Sequence, residues 1–336
     1  MCERRRLQYL VPKGGFEVTC LSILLVWLTT ATGLQDGDAV LLRSKYVAGE
    51  KRTYTMTAIS SGEVKASGLV MGMPFKATET TKYSLTVLAE APEDTADVRL
   101  ADESSVTRYA EMFDQEPWEE KGELNWVVIT ISPTNEILKV WDQSKPKKEP
   151  KEEDAGKDEQ EMDSKRLAKM LTSRLAGQTR FHGLVELGPK LPWYPVKVGD
   201  TWQDTLTVLR GEQVTRDPSR RASRTSRLDI TYRYDGLQER DGKKVHLISA
   251  TYSADLDLKS DAIRSIPRQL HHLNPIKSAT LRVSGKIDYQ LDPSNGKMLR
   301  ADWLSESDVE LVASAGFETL DYSLKGKLVA SVVPTE

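Results

Sequence analysis

Leu281-Arg282-Val283-Ser284-Gly285-Lys286-Ile287-Asp288-Tyr289-Gln290-Leu291 is the stretch that decides the fold. Leu281, Val283, Gly285, Ile287, Tyr289 and Leu291 fall on one side of a strand, against Arg282, Ser284, Lys286, Asp288 and Gln290 on the other. Such period-two alternation is a strand signal. One side is polar throughout, so the sheet is predicted to be antiparallel, with one face covered and one wet; a parallel strand would be apolar on both. Leu320, Tyr322, Leu324, Gly326 and Leu328 repeat the pattern against Asp321, Ser323, Lys325 and Lys327.

Working outward, Leu228, Ile230, Tyr232 and Tyr234 alternate with charged and hydroxyl residues, and Val245 to Leu258 reads as a further strand. Tyr54, Met56 and Ala58 alternate with threonines before a turn expected at Ser60-Ser61-Gly62. Leu69, Met71, Met73 and Phe75 share an apolar face, with Pro74 favouring an edge or bulge because it has no ladder donor. Tyr83 to Ala89 and Val98 to Tyr109 follow as strands, and Met112 to Gly122 reads as irregular. Trp126–Ile131 and Ile137–Trp141 form a hairpin about Ser132-Pro133-Thr134-Asn135, residue types suited to a tight reversal. Helical spacing occurs at Leu167, Met170, Leu171 and Leu175, after a capping Ser164, and at Ile263, Ile266 and Leu270 around Pro267. These two helices, near 164–176 and 261–273, are the expected covers of the apolar face.

Two landmarks recur in the same order. Tyr46-Val47-Ala48-Gly49-Glu50 leads into a strand as Val196-Lys197-Val198-Gly199-Asp200-Thr201-Trp202 does. Ser132-Pro133-Thr134-Asn135 is echoed by Asp292-Pro293-Ser294-Asn295-Gly296, with Trp141 and Trp303 following. The fold class expected is therefore α+β, mainly antiparallel β: two related β-meander units forming curved sheets covered by a few helices. The expected divisions are a signal peptide over 1–33, a first β unit over 34–142, a charged linker over 143–163 and a second β unit with helices over 164–336. Lys145 to Asp154 carries no large apolar residue and cannot offset its chain entropy by burial.

The chain of 336 residues has a formal net charge of −3, which gives no basic excess for binding nucleic acid. Arg4-Arg5-Arg6 and Lys13 precede the apolar run Leu21 to Leu28, and Ala31-Thr32-Gly33 supplies small residues at cleavage spacing. That order predicts export, with cleavage near Gly33. Both cysteines, Cys2 and Cys20, lie in the segment expected to be removed. An exported mature chain would then have no disulfides.

No motif points to catalysis, a metal or a cofactor. His182, His246, His271 and His272 lack ligand spacing. Ser144-Lys145-Pro146-Lys147 matches Ser-x-x-Lys only inside the charged linker, and there is neither a Gly-x-Ser-x-Gly elbow nor a phosphate loop. Arg216, Arg220, Arg221, Arg224 and Arg227 read as a solvated hairpin tip, without the interleaved aromatics that single-strand binding uses. Trp126, Trp141, Trp193, Trp202 and Trp303 read first as core fillers. The candidate ligand-binding residues are Met71, Met73, Phe75 and Trp202, since flexible methionines and large aromatics suit adaptable apolar surfaces.

The leader, the Gly-acidic strand entries, Leu69-Val70-Met71-Gly72-Met73-Pro74 and Val196 to Trp202 together resemble a family of secreted bacterial β-rich proteins of unknown function. More distantly the plan resembles the LolA/LppX-type lipoprotein carriers, although no lipobox is present. That resemblance implies a curved antiparallel sheet around an apolar cavity. The expected function is an exported, non-enzymatic binding protein holding a hydrophobic small molecule or lipid between sheet and helices. The alternative is a structural or protein-interaction module of the bacterial cell envelope with a filled core and an envelope protein as partner.

Overall fold

The eleven residues from Leu281 to Leu291 are the second part of a sixteen-residue strand, Ile276–Leu291, whose side chains alternate between more and less buried from Ala279 onward. The structure, a computed structural model, describes residues 38–67, 72–112, 116–122, 124–143, 187–209, 213–215, 226–257, 259, 276–315 and 318–335. Its elements are β1 (Lys51–Ala66), β2 (Met73–Glu90), β3 (Ala96–Met112), β4 (Trp118–Lys121), β5 (Trp126–Ile131), β6 (Ile137–Gln143), β7 (Thr201–Leu209), β8 (Gln213–Thr215), β9 (Ser226–Arg240), β10 (Lys243–Asp257), β11 (Ile276–Leu291), β12 (Met298–Ala315) and β13 (Glu318–Pro334).

All thirteen strands belong to one sheet, ordered β6-β5-β3-β2-β1-β13-β12-β11-β10-β9-β7-β8, with β4 paired to the outer part of β3. Neighbouring strands run antiparallel throughout. The long seam from Tyr54↔Pro334 to Ala66↔Tyr322 joins β1 to β13, so the first and last strands of the sheet in sequence lie side by side near its middle. The two expected β units therefore contribute to a single sheet, and Ala39–Glu336 form one compact unit.

The α+β expectation is corrected by this architecture. Every element of the described residues is a strand, and among them the fold is a single all-antiparallel sheet in place of the expected α+β set of curved sheets. The expected helices at 164–176 and 261–273, the linker and the leader lie outside the described residues. Two local expectations also give way. Ser60-Ser61-Gly62 continues β1 because thirteen consecutive pairs to β13 hold it extended, and part of Met112–Gly122 forms β4 against Val106–Tyr109.

One sheet can bury its own apolar face only by curling. β5 is second and β7 eleventh in the sheet order, nine interstrand spacings or about 43 Å apart if the sheet were flat. The Lys190 ammonium nevertheless reaches Asp204 Oδ1 on β7 at 3.1 Å and Glu136 Oε1 in the β5–β6 turn at 3.8 Å. The two flanks are thus brought together at this end. Segments 38–50 and 187–200 cross there: Val40 and Val196 exchange hydrogen bonds of 2.8 and 2.9 Å, Ser44 N donates to Pro133 O, Lys45 N to Asn295 O, and Leu191 N to Thr134 O. Leu42, Leu191 and Val196 point into the core beside Tyr54, Trp202, Ile287 and Tyr289. A second cluster, Leu85, Val87, Val98, Ile129, Ile131 and Leu187, fills the β2–β3–β5 flank.

The two Gly-acidic strand entries share a local geometry. Gly49 and Gly199 both have positive φ, 79° and 92°, which glycine adopts without strain. Gly49 N donates to Val87 O and Gly199 N to Tyr234 O, while Val87 N and Tyr234 N return bonds to Glu50 O and Asp200 O.

Candidate functional site

The inner face of the sheet is the first candidate, because alternation delivers every strand's apolar set to it. β1 supplies Tyr54, Met56 and Val64, β2 Phe75, Tyr83 and Leu85, β12 Trp303, Val309 and Leu311, and β13 Tyr322, Leu324 and Leu328, all buried. Aromatic rings organise this face. Tyr54 stacks on Tyr83 with centroids 5.3 Å apart, and Trp202 on Tyr232 at 5.6 Å. Trp303 Nε1 donates to Tyr252 Oη at 2.6 Å, and burial pushes the Tyr252 hydroxyl up to about 12.

Polar groups interrupt the face on β2, where Glu79 is 5% exposed and accepts from Thr81 Oγ1 at 3.0 Å. Glycines also interrupt the face. Gly62 and Gly326 pair directly across the β1–β13 seam, and the Phe75 ring lies over both; the Tyr252 hydroxyl lies over Gly285. Large rings thereby fill the space that missing side chains leave.

The candidate residues are not brought together. Phe75 is buried on β2, at the end of the sheet away from the crossing segments, with Met73 half-buried at the start of that strand. Trp202 is buried at the sealed end, seven strands away in the sheet order, where its Nε1 donates to Lys190 O at 2.7 Å. Met71 lies outside the described residues. Of the other tryptophans, Trp303 is core, as expected, but Trp141 and Trp193 are exposed. Trp141 keeps a cation, Lys139 Nζ, 3.1 Å from its ring centroid.

The outer face carries a second feature that sequence reasoning missed: an open groove of about 800 Å³ across β1, β13, β12, β11 and β10. Arg282, Lys325 and Lys327 stand in it with Asp255, Glu306 and Asp308. Its ion pairs are long, Arg282–Asp255 and Lys325–Asp308 both at 3.9 Å. Strand alternation marked Arg282, Lys325 and Lys327 as wet, but only the pairing register places them beside Asp255, Glu306 and Asp308.

His246 is buried and its Nδ1 lies 2.8 Å from Tyr234 Oη, so it acts as a partner within the core. His182, His271, His272 and the arginines at 216–224 lie outside the described residues. Among the described residues no group of three or more His, Cys, Asp or Glu side chains is placed to hold a metal ion.

No family model matches this sequence, and no curated protein matches it. Among solved structures the chain is similar to lipovitellin, in a structure concerned with lipid–protein interactions in that protein, at 10% identity and a TM-score of 0.34. The match covers 87% of this chain and 26% of the lipovitellin chain, so this chain spans about a quarter of that protein's length, at a similarity that carries no argument about function.

Proposed function

We propose that this chain is an exported, non-enzymatic binding protein that shelters an apolar ligand, such as an acyl chain, against the inner face of its curled sheet. The observation that carries the reading is an extended apolar inner face, a main cluster from Tyr54 and Tyr83 round to Trp202 with a second on the β2–β3–β5 flank, closed off at one end by segments 38–50 and 187–200. Sites for apolar ligands are concave and lined mostly by hydrophobic and aromatic side chains. The half-buried Met73 and the neighbouring Phe75, at the opposite end, fit a flexible lip. Export is part of the proposal and rests on the basic-apolar-small order of residues 1–33.

The test is native mass spectrometry of the purified protein, followed by organic extraction. Lipid-sized adducts that extraction removes support the reading. A bare polypeptide mass, with no uptake of a fluorescent fatty acid, overturns it. N-terminal sequencing of the mature protein should begin near residue 34 if the leader is cleaved.

A second reading, an envelope module with a filled core, is favoured by one specific observation: Phe75 and Trp202 already pack against Gly62, Gly326, Tyr232 and Lys190 of their own chain. A ligand-free protein of unchanged stability would support that reading.

A further inference from the structure

The segments that seal the curled sheet are apolar on the side facing water as well as on the side facing the core. Leu42, Leu191 and Val196 are buried, whereas Leu41 is 52% exposed, Val47 55% and Trp193 79%, with Tyr194 also exposed. The exposed tryptophan is held in place. Pro192 and Pro195 flank the pair Trp193-Tyr194, whose rings meet edge to face at 5.5 Å. The Arg43 guanidinium grips the loop from beneath, donating to Pro192 O and Trp193 O at 2.6 Å each, and the Val40–Val196 bridge fixes its base. Arg43 and Lys45 give their hydrogen bonds to main-chain carbonyls, Lys45 Nζ to Ser294 O at 3.1 Å, and among the described residues neither forms an ion pair. Their positive charge remains available at the rim of the apolar patch.

We propose that this end of the molecule docks on the surface of an anionic lipid bilayer. Trp193 and Tyr194 would lie at headgroup depth, where rings with one apolar and one wet side are favoured, while Leu41 and Val47 enter the acyl boundary. Lys45 faces the lipid phosphates, with the Arg43 charge held behind the loop, adding the electrostatic attraction that basic side chains supply at an anionic surface. The patch is a few side chains on two crossing segments, far below the 20–30 residues a side of a stable protein interface. The same few side chains suffice for reversible interfacial anchoring, whose strength scales with buried apolar area and charge. This docking does not depend on the presence of an inner-face ligand, which is read separately by extraction.

The experiment is co-sedimentation of the mature full chain with vesicles of phosphatidylcholine alone, or of phosphatidylcholine mixed with phosphatidylglycerol, at low and high salt. Binding to the mixed vesicles, weakened by salt, is expected. Trp193→Ser and Lys45→Glu should each weaken it, the former on the order of tenfold, with unchanged thermal unfolding because both side chains are exposed. Failure to bind either vesicle overturns the proposal, as does a Trp193→Ser variant that binds as well as the parent. A loss of self-association in Trp193→Ser, without vesicle binding, would assign the patch to a protein contact and likewise overturn it.

Discussion

At the scale of single residues, the paired glycines of the β1–β13 seam are the most constrained positions. A Cβ on Gly62 would lie 2.1 Å from Lys325 O and 2.9 Å from Gly326 Cα, and backbone atoms cannot step aside as a flexible side chain can. Gly62→Ala should therefore destabilise the fold by about 1–3 kcal/mol, measured by urea denaturation, while Ser61→Ala beside it should be nearly neutral. Glu50 binds Arg52 and Lys297, and its carboxyl is held down at about 2, chiefly by the hydrogen bond from Arg52 and against the effect of burial. Its contribution to stability is whole above the ordinary value of about 4.3 and is lost as pH falls from there toward 2. Glu50→Gln should cost about 1–2 kcal/mol at neutral pH and flatten that part of the acid limb. Burial depresses His246, with Asp292 opposing. The unfolded chain therefore takes up this proton first, near pH 6.5. Stability from neutral His246 is full above that pH and declines as pH drops through it toward the folded value. A pH titration of the unfolding midpoint should show this decline in the parent and lack it in His246→Gln.

At the scale of elements, the sealing segments do more than connect strands. Trp202 on β7 stacks on Tyr232 of β9 and donates to Lys190 O, so it ties segment 187–200 to the sheet flank. Trp202→Ala should cost about 3–5 kcal/mol, a loss of stability that appears equally with and without added fatty acid. The sequence marked Trp202 both as a core filler and as a candidate ligand contact, and could not distinguish a ligand-facing ring from one packed on its own chain. The turn expected at Ser60-Ser61-Gly62 failed for a related reason: turn-forming residue types are local, whereas the pairing of Ser61 with Lys327 and Lys76 is not. The β5–β6 reversal at Pro133 to Asn135 was legible because its chemistry is local. Asn135 has a positive φ of 59°, and Ser132 Oγ accepts from both Thr134 N and Glu136 N.

At the scale of the whole molecule, the β1–β13 seam joins the two flanks within one compact unit, Ala39–Glu336, despite the charged stretch in the sequence between them. Calorimetry should show one unfolding transition, with calorimetric and van't Hoff enthalpies in agreement; two transitions would mean that the seam does not couple the flanks. Deleting residues 318–336 removes a central strand and exposes two long edges at once, so the truncated chain should fail to fold and should aggregate.

The sequence by itself determined the antiparallel sense of the sheet and, for strands such as β9, β11 and β13, which side chains share a face, because a period of two is written into neighbouring residues and needs no partner to be read. It also specified the reversal at Ser132–Asn135, where Pro and Asn answer to backbone angles alone. Only the tertiary structure decided that both meanders enter one sheet, that its flanks meet through Lys190, and that Trp202 closes the core while Trp193 faces water. Each of those outcomes depends on pairing between residues remote in sequence, and alternation repeats identically whichever strand lies alongside.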